Sequence, residues 1–332
     1  MTAPKFVKHK VAIVGTRYSE FSIEEEILRP LGVEIVFSTG KDSETIIAEA
    51  GDAEIILAGA PPKFNSETLA RIGCRGIIRY GVGTESVDLI AAKELGIWVS
   101  RVADYGTEAV ATHSVALALT AMRQIRESDA IVRNGGWGFN DLRPLHLPSS
   151  LTVGVVGAGR IGSHAAKQFL GLGFNVKMYD IVTPSHPVVG VQFIDSFMDL
   201  LRTSDIISLH VPGSASGEPL ISHAEFEVFK AGSILVNTSR GTLIDREALI
   251  QALLGNKLRI AALDVFDKEP ISISDYDAIK DRLLFTPHMA WYTEESESDL
   301  RFKAAKEAFR LLSGERPLEV VVEPAVEKAR KL

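Results

Sequence analysis

Short runs of consecutive apolar residues alternate with helical patterns along most of the chain. Runs at 11–14, 34–37, 55–57, 76–78 and 98–99 read as buried strands. A strand in a sheet covered on both faces is apolar on both sides, so it shows as a continuous run and not as an alternation. Between these runs, 22–31, 43–50 and 66–72 carry helical spacing, with Ser43 and Ser66 as candidate N-caps. A long helix is predicted over 107–126, where Ala, Val and Leu recur at helical spacing. The turn residues of Asn134-Gly-Gly-Trp-Gly-Phe-Asn-Asp break that pattern, and 134–150 reads as an irregular arm. Its large apolar residues, Trp137 and Phe139, are expected to pack on the same chain or on a second subunit. A second series starts at Leu151. Its strands are predicted at 152–156, 175–179, 206–210, 233–237, 260–264 and 283–285, and its last helix at 295–312. Alternating strands and helices imply parallel α/β architecture.

Bulk properties narrow the function. A length of 332 residues suggests two domains, and 46% hydrophobic residues is ordinary for a globular chain with real cores. A net charge of −7 argues against a nucleic-acid partner. The apolar run near the N-terminus, after Lys5 to Lys10, is too short for a signal segment. No stretch approaches the roughly 20 apolar residues of a membrane span. These readings predict a soluble, cytoplasmic protein with no membrane partner. Cys74 is the only cysteine, which excludes an internal disulfide or a multi-cysteine zinc site, and it is expected to be a small buried hydrophobe.

The segment from Leu151 to Asp180 carries a specific signal. The apolar run at 151–156 leads into Gly157-Ala-Gly-Arg-Ile-Gly162, a helix is predicted over 163–172, and the next strand ends at Asp180. A strand, a G-x-G-x-x-G turn opening a helix, and an acid about 20 residues on form a dinucleotide-binding pattern. Gly157 permits the tight turn, Gly159 lets backbone approach a pyrophosphate, and Gly162 lets helix and strand pack closely. The N–H groups of Arg160 and Ile161 at the helix start face the phosphates. Asp180 accepts from the ribose hydroxyls of NAD and repels the extra phosphate of NADP. The residues after it, Ile181-Val-Thr-Pro-Ser185, offer no cation for that phosphate. NAD is therefore the expected cofactor.

Three polar residues follow later strands. Arg240 lies in Val236-Asn-Thr-Ser-Arg-Gly241, Glu269 in Leu263-Asp-Val-Phe-Asp-Lys-Glu-Pro270, and His288 in Thr286-Pro-His-Met-Ala290. In open α/β sheets, ligands gather beyond the carboxyl ends of strands. A histidine titrating near neutrality suits the proton that accompanies hydride transfer, a carboxylate orients it, and a guanidinium holds an acid through forked bonds. Taken singly, each residue also reads as an ordinary structural polar group. Their order downstream of the nucleotide turn is what singles them out.

This ordered set resembles the NAD-dependent D-2-hydroxyacid dehydrogenases over nearly the whole length. The resemblance implies that Arg240 binds substrate, that His288 is the acid/base and that Glu269 is its carboxylate partner. It further implies that Asp264 meets the nicotinamide amide and that Val211, Pro212 and Thr238 line the cofactor. Arg79-Tyr-Gly-Val-Gly-Thr-Glu-Ser-Val-Asp88 is similar to the family's substrate loop. On that likeness the N–H groups of Val82 and Gly83 hold the substrate carboxylate and Arg79 adds charge; a surface salt bridge is the other reading of Arg79. The stretch from Pro287 to Glu294 is closest in motif to the branch containing the C-terminal-binding proteins, NAD-binding corepressors. That likeness places Trp291 in the substrate pocket, against a plain core aromatic.

The resemblance implies two Rossmann-like doubly wound parallel-sheet domains with a cleft between them. The substrate-binding domain is expected to be discontinuous, 1–102 with 292–332, and the NAD-binding domain to span 103–291. The helices at 107–126 and 295–312 would span the hinge. The implied activity is reversible interconversion of a 2-oxo acid and a D-2-hydroxy acid by a homodimer. A corepressor-like NAD-responsive binding module is the alternative. Two departures stand out: Ser149-Ser150-Leu151 replaces the family's frequent Gly-Lys, and the loop after Pro212 lacks the usual threonines. His113, His164, His210 and His223 show no metal-ligand spacing, so no metal is expected. Glu24-Glu-Glu26 reads as a solvated helix face.

Overall fold

The computed structural model describes residues 9–184, 187–214 and 216–326. Residues 5–8, Ser185 and Ala215, which entered the sequence reading, lie outside the described residues. The chain forms two compact units, Met1–Gly106 with Thr293–Leu332, and Thr107–Tyr292.

The first unit holds a six-stranded sheet built from β1 (Lys10–Val14), β2 (Glu34–Ser38), β3 (Ile55–Ala58), β4 (Gly76–Arg79), β5 (Trp98–Arg101) and a late strand. The second unit holds β6 (Thr152–Val156), β7 (Asn175–Tyr179), β8 (Gln192–Phe193), β9 (Ile206–Leu209), β10 (Ser233–Asn237), β11 (Leu258–Leu263) and β12 (Leu283–Phe285). The late strand of the first unit is β13 (Val320–Val322).

The first sheet runs β2-β1-β3-β4-β5-β13, parallel except for β13, which pairs antiparallel with β5. The second runs β8-β7-β6-β9-β10-β11-β12 and is parallel throughout. Both are doubly wound. The second has the order of a dinucleotide-binding sheet, whose direction of winding reverses between β6 and β9. Its inner strands β6, β9, β10 and β11 are buried on both faces, with one apolar cluster around Leu235, Leu249 and Phe226 and another around Val155, Phe169 and Ala118. The first unit's sheet packs Ile56, Ile77 and Val99 with Phe64, and Cys74 is fully buried there.

Several expectations are corrected. Helices do cover 43–50 and 66–71, but their caps are Asp42 and Asn65, not Ser43 and Ser66. The carboxylate of Asp42 accepts from Thr45 N and the amide oxygen of Asn65 from Thr68 N, each at 2.8 Å. The helix expected over 107–126 ends at Arg123. Gln124 takes a left-handed backbone (φ 50°), and a separate helix, Ile125–Arg133, follows. No Gly or Pro marks that break. It is held from outside, by Gln124 Nε2 donating to Leu142 O at 2.7 Å and by the Arg126 guanidinium on the carbonyls of Asp281 and Leu283.

Glu24 is not solvated. It is fully buried and paired in a bidentate fork with Arg301 (2.7 and 3.0 Å), and Tyr80 Oη donates to it at 2.8 Å. Burial of an unpaired carboxylate is costly, so the fork is what permits this one inside. The arm remains open. Trp137 is 93% exposed, Phe139 and Leu147 are exposed, and the helix Ile125–Arg133 buries no residue.

Candidate active site

The nucleotide turn joins β6 to the helix Arg160–Gly171. Gly157 sits at φ 104°, a conformation L side chains rarely adopt, and a Cβ there would lie 2.4 Å from His210 O. A Cβ on Gly162 would lie 2.0 Å from Gly157 O. At Gly159 the same atom would meet nothing within 4 Å. Gly157 and Gly162 therefore serve the fold, and Gly159 leaves the open face of the cradle. Asp180 stands just past the end of β7. Its Oδ2 accepts from Ala158 N at 2.7 Å and its Oδ1 from Val182 N at 3.1 Å, which fixes the carboxylate beside the turn.

Two further atoms bear on a ligand here. Among the described residues, Thr238 Oγ1 and His210 Nδ1 are buried and have no hydrogen-bond partner. They follow β10 and β9, the strand beside the winding reversal. Buried polar atoms are seldom left unsatisfied, and a cofactor's ribose and amide groups are the kind of partner they lack. His210 Nε2 is bonded to Ser208 Oγ at 2.8 Å, and burial pushes its pKa down to about 4, so the ring is neutral near pH 7. Val211 packs against the nucleotide turn, 2.9 Å from the Cβ position of Gly157, while Pro212 is exposed.

Beyond β10 the chain turns sharply to present Arg240. Buried Asn237 builds that turn, accepting from Ser239 N at 3.0 Å and donating to Arg240 O at 2.8 Å. Gly241 then passes so close to the next loop that a Cβ would lie 1.8 Å from Phe266 C. This contact brings the Arg240 turn against the loop that carries Glu269.

Glu269 precedes a cis proline, Pro270. Its Oε1 accepts from Phe266 N at 2.9 Å, and its Oε2 lies 2.7 Å from His288 Nδ1. Burial pushes the Glu269 carboxyl up, but the bonds from His288 and Phe266 N, with the charges of His288 and Arg240, hold it below the usual carboxylate range. For His288 the bond to Glu269 is the largest influence and raises the imidazole pKa. Burial opposes it, the carboxylates of Glu269 and Asp264 add to it, and Arg240 opposes it. Arg240, Glu269 and His288 are thus one electrostatic group, with the His288 side chain 48% exposed.

His288 has a left-handed backbone (φ 53°). Such a conformation costs a non-glycine residue about 1–3 kcal/mol and persists only where its surroundings over-determine it. Asp264 does so. His288 N donates to Asp264 O at 2.8 Å, Met289 N to Oδ1 and Ala290 N to Oδ2, each at 2.9 Å, and Thr286 Oγ1 to Oδ1 at 2.5 Å. The Asp264 carboxylate is fully buried, so what it visibly does is clamp the turn that carries His288.

The substrate-loop residues lie in the first unit. Arg79 is buried, not a surface ion pair. Its guanidinium donates to the carbonyls of Ala58, Gly59 and Gly83 and so braces the loop from beneath. Among the described residues, neither Val82 N nor Gly83 N donates a hydrogen bond. Trp291 is half-buried and meets Tyr292 edge to face at 5.7 Å; it belongs to no core cluster.

Asn237, Thr286 and His113 hold places beside the Arg240, Glu269 and His288 group that no sequence motif assigns them. A buried polar residue directly after the apolar run Ile234 to Val236 is a signal that points to Asn237.

Residues 115–290 match the family model described as "D-isomer specific 2-hydroxyacid dehydrogenase, NAD binding domain". The chain belongs to this family of 2-hydroxyacid dehydrogenases. Its second unit carries the family's NAD-binding domain, and NAD is its cofactor. Among curated relatives, it is 33% identical to a D-3-phosphoglycerate dehydrogenase of Archaeoglobus fulgidus over 95% of this chain and 60% of that one. It is 34% identical to a glyoxylate reductase of Thermococcus litoralis over 74% of this chain and 76% of that one. The chain spans about three fifths of the length of the two archaeal phosphoglycerate dehydrogenases it matches. Among solved structures, D-lactate dehydrogenase from Aquifex aeolicus, complexed with NAD and lactic acid, superposes with a TM-score of 0.84. That match has 28% identity and covers 95% of this chain and 100% of the other. No helix among the described residues is long and apolar enough to cross a membrane.

Proposed function

We propose that this protein is an NAD-dependent oxidoreductase that interconverts a 2-oxo acid and a D-2-hydroxy acid. The observation that carries this reading is the Arg240, Glu269 and His288 group, joined by the 2.7 Å His288–Glu269 bond within the NAD-binding unit.

When bound, NADH supplies the hydride that reaches the carbonyl carbon. The proton for the carbonyl oxygen comes from His288. Its Nδ1 is held by Glu269, which leaves Nε2 as the atom that gives the proton in reduction and takes it back in oxidation. The Glu269 carboxylate keeps the ring charged until transfer and fixes its orientation. Arg240 binds the substrate through its planar fork. Val82 and Gly83 bind the substrate carboxylate through their N–H groups, and Arg79 contributes through the loop it braces. Trp291 contacts the substrate side chain. The cofactor is held by Gly157, Gly159, Gly162, Arg160 and Ile161 at the pyrophosphate, and by Asp180 at the ribose. Val211, Pro212 and Thr238 line it, and Asp264 meets the nicotinamide amide.

The likeness to the corepressor branch motivates a non-catalytic alternative. An intact proton-transfer pair and substrate arginine favour the enzyme. Turnover of a panel of 2-oxo acids with NADH tests this reading: oxidation of NADH with at least one supports it, and binding of NADH without turnover of any supports the alternative.

We further propose a cytoplasmic homodimer that covers the exposed face of the helix Ile125–Arg133 and the arm with Trp137, Phe139 and Leu147. Ile125, Val132, Trp137, Phe139 and Leu147 are large apolar side chains all exposed within one stretch of the chain, which supports an association surface there. The single reduced, buried Cys74 fits a reducing compartment. Light scattering is expected to give twice the chain mass, and a monomer mass overturns the dimer.

A further inference from the structure

A second histidine stands behind the proton-transfer pair. His113 lies on the helix Thr107–Arg123, and its Nε2 is 3.1 Å from Thr286 Oγ1 and 3.8 Å from Asp264 Oδ1. The hydrogen bonds fix the order of donors. Thr286 Oγ1 has one proton and gives it to Asp264 Oδ1 at 2.5 Å. The hydroxyl can then only accept from His113, so the His113 ring is protonated at Nε2. Asp264 in turn holds Met289 N and Ala290 N, one on each carboxylate oxygen, and its carbonyl holds His288 N.

The chain therefore runs from His113 through Thr286 and Asp264 to the strained backbone of His288. All of its members lie in one unit. Without the His113 donor, the Thr286 hydroxyl has no partner fixing its lone pairs, and its rotation away from Asp264 is no longer opposed.

We infer that His113 is a positioning residue that fixes the acid/base His288 against Glu269 through Thr286 and Asp264. The inference rests on the proton-transfer role given to His288 above. It does not require His113 to touch substrate or cofactor.

The charged groups acting on His288 are Glu269, Asp264 and Arg240, and the one acting on His113 is Asp264. Burial holds His113 below the ordinary histidine range, so it works as a neutral donor near pH 7. Asp264, which is fully buried, is the group the two rings share.

The test is the titration of His288 by NMR in histidine-labelled protein without substrate, with its resonance assigned from a His288→Gln spectrum. Three variants are compared with wild type: His113→Leu, His113→Gln and Thr286→Val. His113→Leu and Thr286→Val are expected to lower the His288 midpoint toward the ordinary imidazole value. His113→Gln keeps a donor N–H and is expected to restore it. In the enzyme assay, His113→Leu is expected to lose on the order of tenfold in kcat, with KM for NADH unchanged. A His288 midpoint that stays at the wild-type value in both His113→Leu and Thr286→Val overturns the inference, as does one that falls equally in His113→Gln. The titration needs no turnover, so it stands apart from a failure of the proposed reaction, which the 2-oxo acid panel detects.

Discussion

His288 Nδ1 lies 2.7 Å from Glu269 Oε2, although the two residues arrive from different strands. Glu269 comes from the loop after β11 and is anchored by Phe266 N. His288 comes from the turn after β12 and is anchored by Asp264. Asp264 opens the loop that carries Glu269, so the two turns are tied to each other before their side chains meet at this one short bond.

That bond sets the pH dependence. It is the largest cause of the raised His288 pKa, so the ring stays protonated above the ordinary value of 6.5. Reduction needs the protonated ring. Its kcat/KM is expected to fall as pH rises through the His288 pKa, while that for oxidation rises through the same value. Glu269→Gln removes the carboxylate charge and is expected to move both limbs to lower pH. Steady-state pH profiles in the two directions check this, and unmoved limbs in the variant would assign the titration to another group.

Cofactor choice is expected to depend on Asp180. Hydrogen bonds to charged groups contribute about 1.5–3 kcal/mol, so Asp180→Ala is expected to reduce the preference for NADH over NADPH by roughly ten- to a hundredfold. The ratio of kcat/KM for the two cofactors measures it. The backbone bonds from Ala158 and Val182 to this carboxylate are lost too. NADPH is therefore expected to gain less than NADH loses.

Stability of the first unit is expected to depend on the Glu24–Arg301 fork. Arg301→Leu strands a fully buried carboxylate, and breaking one side of a buried pair costs about 3–5 kcal/mol. Urea unfolding is expected to show that loss. A Glu24→Gln, Arg301→Leu double variant is expected to recover part of it, because no uncompensated charge remains inside.

Much of this was legible in the residues, for reasons that differ by element. The nucleotide turn was readable because three glycines and an acid are tied to a backbone path that few other residues can follow. The inner strands were readable because burial on both faces leaves unbroken apolar runs such as Ile55–Ala58 and, within β10, Ile234 to Val236. Long-range partners were not readable. Glu24 looks solvated until Arg301, 277 residues away, folds onto it. The break at Gln124 has no local cause and comes from Leu142 and the carbonyls of Asp281 and Leu283. Arg79 reads either as charge for the substrate carboxylate or as half of a surface salt bridge, whereas its guanidinium is buried on three backbone carbonyls that no side-chain pattern reveals. The edge strands β8 and β13, two and three residues long, carry too few positions to show a period.

The central claim is that His288 moves the proton. The most direct measurement compares wild type with His288→Ala in NADH-dependent reduction of whichever 2-oxo acid the wild type turns over fastest. NADH binding is followed separately by fluorescence. General acid–base catalysis contributes roughly 10²–10⁴-fold, so kcat is expected to fall by more than about a hundredfold while NADH still binds. Wild-type kcat in His288→Ala would contradict the account.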